Sequence, residues 1–200
     1  MTRTIRVLVA VVIILCAAAW VPDAIQAQGA DLVAEAREAL SAERIDDAIG
    51  LLERAVMADA NDPAALAWLG SAQVRKAGKV PLLEAPGWVS RGFKTLDGAV
   101  ARFPDAFIVY FVRGVTAARV PDLFGKAPVA VKDLNLVIAM REKNPGAVPD
   151  AVMPSTYFSL GLAYKKSSQT AEARSAWEKG RKLYPSAPEA EAIAKELQDL

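Results

Sequence analysis

Two pairs of neighbouring carboxylates, Asp46 with Asp47 and Asp59 with Asp62, come nearest in spacing to catalytic machinery. One protonated and one ionised acid can divide acid/base work between them. The same arrangement also suits a helix start, where a carboxylate accepts unsatisfied backbone N–H groups, and that use is the commoner one. Gly78-Lys79 and Gly125-Lys126 invite a phosphate reading, yet both lack the hydroxyl residue after the lysine and the upstream glycine of a phosphate loop. Neither a nucleophile elbow nor a dinucleotide fingerprint occurs. Histidine is absent and Cys16 is the only cysteine. That removes the histidine-dependent triads, histidine-ligated metals and the usual neutral-pH acid/base. The expectation is a protein that is not an enzyme, with no cofactor and no metal.

What must position any functional residue is a chain of 200 residues, 53% apolar and 24% charged, enough for one domain with a substantial core. Its 24 basic and 23 acidic residues nearly cancel, so no overall field favours nucleic acid or an anionic membrane surface. Thirty-nine alanines favour helices that pack closely.

The first segment reads as a targeting signal. Arg3 and Arg6 precede an apolar run from Val7 to Val21, which Pro22 and Asp23 interrupt before the small residues near Ala24 and Ala27. Fifteen apolar residues fall short of the roughly 20 that span a bilayer, which favours cleaved export over a permanent inner-membrane anchor. Residues 1–27 are therefore expected to be a signal peptide and 28–200 the mature domain, with Ala17-Ala18-Ala19 as a second cleavage candidate. Cys16 follows Leu15 instead of a small residue, which makes lipidation the weaker reading. Removal of the leader leaves 22 basic and 22 acidic residues and no cysteine, so packing alone must stabilise the rest.

Internal repetition organises that remainder. Tyr157, Leu160, Gly161 and Tyr164, followed by Ala173, Trp177, Gly180 and Pro185, resemble a tetratricopeptide repeat (TPR), matching the W-x2-L-G-x2-Y, A-x3-F and P positions in turn. Gly161 and Ala173 are small where two antiparallel helices must cross, and Trp177 and Tyr164 fill the space beside the crossing. Weaker copies keep the same phases: Ala48, Leu52 and Ala55; Gly92, Leu96 and Ala99; Ala130, Leu134 and Val137. The first-helix half recurs as Leu66, Leu69 and Gly70, and as Tyr110 and Gly114 with Arg113 in place of leucine. The earliest copy, Leu32, Ala36 and Ala39, carries Glu35 at the leucine position.

The resemblance implies an all-α fold, a right-handed solenoid of about four helical hairpins plus a C-terminal capping helix. Helices are expected near 30–42, 45–60, 63–77, 88–103, 105–119, 127–143, 150–166, 170–184 and 188–199, starting at Asp62-Pro63, at Asp105 and after Ser186. From Gly161 to Ala173 is twelve residues, from Gly114 to Ala130 sixteen and from Gly70 to Gly92 twenty-two, so the two middle repeats carry insertions of four and ten. Insertions in solenoids often gather on the binding face. Phe107 to Val112 has strand propensity, but its place in the repeat makes it a buried helix.

Members of this family bind partners in a concave groove lined by the first helices. Carried over by phase, Ala67, Ser71, Phe111, Val115, Phe158 and Leu162 face that groove, which is too apolar to be a carboxylate clamp. Phe111 and Phe158 would equally serve as packing between helices. Arg75, Arg119 and Lys166, with Lys76 and Lys165, end three successive first helices as a basic ladder; cations there also gain ~0.3–1 kcal/mol from the helix dipole with no partner needed. The sequence thus leads to an exported scaffold or assembly factor, periplasmic or secreted, that grips a peptide or helix of another envelope protein. Nucleic acid is not an expected partner, and the membrane enters only through an uncleaved or lipidated N-terminus. The alternative is a periplasmic accessory protein holding a small apolar ligand between the third and fourth repeats.

Overall fold

The computed structural model describes residues 22–200; most of the expected leader, residues 1–21, lies outside them. Nine α-helices follow one another there: α1 Pro22–Ser41, α2 Ile45–Ala58, α3 Pro63–Lys76, α4 Ala85–Arg102, α5 Phe107–Arg119, α6 Ala127–Lys143, α7 Met153–Lys166, α8 Thr170–Leu183 and α9 Glu189–Gln198. Each odd helix up to α7 packs antiparallel on its successor, and α1, α3, α5 and α7 also stack along the array. This is the all-α solenoid of four hairpins with a terminal helix that the repeat phases require.

Spacing explains each pair. In α2, Ile45, Ala48, Leu51, Leu52 and Ala55 recur on one face and are buried against α1 and α3. In α8 the same face carries Ala173, Ala176, Trp177 and Gly180. Gly70, Gly114 and Gly161 hold equivalent places: a Cβ at each would strike the partner helix, on Leu96, Leu134 and Trp177 respectively. The Trp177 indole is fully buried beside Gly161, and its Nε1 donates to the Phe158 carbonyl at 2.9 Å.

Turn chemistry separates plain repeats from inserted ones. Glu43, Ser168 and Gly125, all at φ near +60°, each stand two residues before the second helix of their repeat. Repeats one and four close through that single left-handed residue. In the middle repeats the extra residues form 3-10 turns, Ala77–Lys79 and Asp122–Phe124. The fourth repeat opens with another, Asp150–Val152, where the first turn of α7 was expected.

Most starts fall near the expected residues. Asp62 caps α3, its side chain accepting from the Ala64 and Ala65 backbone N–H groups at 2.7 and 3.2 Å. The α4 helix begins at Ala85, earlier than expected, because Pro86 and Gly87 sit in its first turn, where proline loses no needed N–H. Asp105 does not cap α5; Ala106 takes the cap position with no side-chain bond, and the Phe107–Val112 run is helical as its packing demands. The α9 helix lays Ile193 and Leu197 over Trp177, Phe158 and Leu162, while Glu191, Lys195 and Asp199 stay exposed.

Candidate functional site: a cavity between α3 and α5

The two insertions meet at one place. A half-open cavity of about 720 Å³ lies between α3 and α5, bounded by Gly78 and Leu82 of the first insertion and Pro121, Leu123 and Phe124 of the second. Val74, Val89, Phe111, Val112 and Val120 form apolar walls. Ser71 and Thr116 face each other across the α3–α5 seam, the threonine hydroxyl donating to Ser71 Oγ at 2.9 Å. Leu82, Leu83 and Leu123 leave the inserted loops 86%, 95% and 81% exposed. Leucine side chains in water are costly, and three of them gathered on two loops make this an unusually apolar stretch of surface.

Of the residues placed in the groove by phase, Ser71, Phe111 and Val115 line the cavity. Ala67 is fully buried in the core and reaches no solvent. Phe158 and Leu162 are half-buried against the cluster that α9 completes, so the capping helix occupies their apolar faces.

The basic ladder divides in the same way. Arg75 donates to the Leu40 carbonyl at 2.8 Å and pairs with Glu43 at 2.6 Å, tying α3 to the first hairpin. Lys166 donates to the Val120 carbonyl at 2.6 Å and approaches Asp122 at 3.3 Å, pinning the second inserted loop. Arg119 lines the cavity beside Arg75 and makes neither an ion pair nor a side-chain hydrogen bond among the described residues. Loss of hydration under the surrounding protein, followed by the like charge of Arg75, pulls it below the ordinary arginine pKa. Its side chain remains exposed at the surface despite that crowding.

The carboxylates singled out for acid/base work are engaged structurally. Asp46 pairs with Lys76 at 2.6 Å and Asp47 with Arg44 at 2.8 Å. Asp59 accepts from the Asn61 N–H at 2.8 Å, and Asp62 caps α3. Among the described residues no cluster of three metal-ligating side chains occurs, and no helix is long and apolar enough to cross a membrane.

One residue that the sequence marks only as a departure from the repeat pattern proves to anchor a buried ion pair. Arg113, at the position of the family leucine, reaches Asp133 of α6 at 2.7 and 2.9 Å and Asp97 of α4 at 2.8 Å. Asp133 is fully buried. Burial pushes its carboxyl up, and Arg113 opposes that by favouring the charged form. The only signal was the misfit of an arginine at an apolar phase.

The tetratricopeptide repeat family matches residues 33–81, the hairpin in which the repeat pattern is faintest plus the first helix after it. A point mutant of MamA is 26% identical over 83% of each chain, with a TM-score of 0.52. The MamA AMB-1 structure is 24% identical, covering 86% of this chain and 91% of that one, with a TM-score of 0.50. A thermophilic TPR protein of Thermus thermophilus, TTC0263, shares the fold at 17% identity, with 86% of this chain and 100% of that one covered and a TM-score of 0.51. No curated protein gives a significant match. Residues 33–81 thus match the tetratricopeptide repeat family, and the described residues share the fold of solved proteins built from that repeat, a fold that suits a protein-interaction scaffold.

Proposed function

We propose that the chain is an exported, non-enzymatic scaffold that works in the periplasm by holding an apolar segment of another envelope protein on the α3–α5 face. The observation that carries this reading is the convergence of both insertions on a single cavity, each offering an exposed leucine at its edge. Apolar anchors fully desolvated in such a recess supply most of the energy in protein interfaces. Arg119 adds a positive field at the mouth that speeds the approach of an acidic partner.

A photo-cross-linker placed at Leu83, beside this rim, should trap a protein partner in the native cell. The Leu82→Ser/Leu123→Ser variant should lose most of that product, and Arg119→Glu should slow association with little change in the rate of release. Equal cross-linking by the serine variant would remove the face from consideration. For export, the leader pattern is the support: Edman sequencing of the mature protein should begin at Gln28. A periplasm-free, full-length product would end the export reading.

A further inference from the structure

The cavity is built for more than the side chains of a docked segment. Its volume, about 720 Å³, falls within the range of pockets that enclose most of a small ligand. Ser71 and Thr116 are hydrogen-bonded to each other, which leaves hydrocarbon as the main surface inside. At its edge stand two guanidinium groups that differ in one respect. Arg75 pairs with Glu43, which it shares with Lys79, and is fixed by the Leu40 carbonyl, whereas Arg119 has no carboxylate within ion-pair distance among the described residues. An arginine carries five N–H donors in a planar fork suited to carboxylate or phosphate. A neutral apolar ligand would fill the walls and further desolvate that charge. A purely polar anion would meet Arg119 and leave the walls in water. Only a molecule with both parts answers both features.

We propose that this cavity binds a single-chain anionic amphiphile, its alkyl chain between α3 and α5 and its acid group on Arg119. The inference rests on the cavity and its unpaired cation, which only the longer-range charge of Glu189 favours, and it holds whether or not the rim also receives a protein. A free fatty acid and a single-chain phospholipid share this chemistry, and the head group separates them.

Titration calorimetry on the purified protein should use dodecanoate, dodecyl phosphate and dodecan-1-ol, each below the concentration at which it self-associates. Saturable one-to-one binding of at least one anion is expected, with the alcohol roughly tenfold weaker or more, since hydrogen bonds to charged groups are worth at least that factor. The stronger of the two anions identifies the carboxylate or phosphate source. Arg119→Gln, a change at an exposed residue whose charge the fold disfavours, should abolish the preference for anion over alcohol without lowering the melting temperature. Val115→Trp, which fills the cavity, should weaken all three ligands together. Absence of saturable anion binding, or an anion preference that survives Arg119→Gln, would overturn the assignment. So would binding confined to acidic apolar peptides.

Discussion

Gly92→Ala should destabilise the protein by about 3 kcal/mol or more, while Gly98→Ala, on the same helix, should stabilise it by up to ~1 kcal/mol. Both changes bring the same gain in helix propensity, so the difference between them isolates packing. A Cβ at Gly92 would lie 2.6 Å from the Gly70 carbonyl oxygen and 2.7 Å from the Val74 nitrogen. Those are backbone atoms of α3 and cannot rotate aside. Relief requires α3 and α4 to separate, which opens space along Leu96 and Val74. At Gly98 nothing lies within 4 Å. Gly161→Leu should also be costly, by a different route: the obstacle is the Trp177 ring, which must abandon the Phe158 carbonyl to move. Urea unfolding of the three variants decides the matter; a Gly92→Ala curve overlying that of Gly98→Ala would refute the close crossing.

Arg113→Leu restores the residue typical of the family and should nevertheless cost about 3–5 kcal/mol, because it strands the buried Asp133 without its counter-charge. Arg113 has 13% of its side chain exposed and Asp133 none, so solvent cannot replace the lost partner. Asp97 is 59% exposed and should tolerate the loss. The Arg113→Leu/Asp133→Ala double variant should recover most of the stability, since an apolar pair in place of a buried ion pair is often neutral or better. A double variant as unstable as the single one would mean that packing, not charge, dominates at this site.

The helical hairpins were legible because the information is local and periodic. Small residues at Gly70, Gly114 and Gly161 mark crossings, and a proline or capping aspartate, as at Asp62-Pro63, marks an end. The cavity was not legible in the same way. Insertion lengths announced two loops, but their meeting depends on how far repeats two and three rotate, which no spacing encodes. Arg113 illustrates the same limit: its partner Asp133 is twenty residues away on another helix, and neither side chain names the other. Arg75, Arg119 and Lys166 share a phase in sequence and look like one ladder. Tertiary neighbours then tie up the first and last and leave the middle one open. The groove was likewise expected to continue through Phe158 and Leu162, where the terminal helix closes over it instead.

That closure gives the array a direction. Head-to-tail filaments of repeat proteins grow when the last unit of one copy exposes the flank that the first unit of the next copy needs. Here Ile193 and Leu197 already occupy the flank beside Trp177, and Lys165 bolts the terminal helix in place through Glu196 at 2.8 Å. The next surface along the array is therefore the outer face of the terminal helix, with Glu191, Lys195 and Asp199 in water, instead of the bare flank beside Trp177.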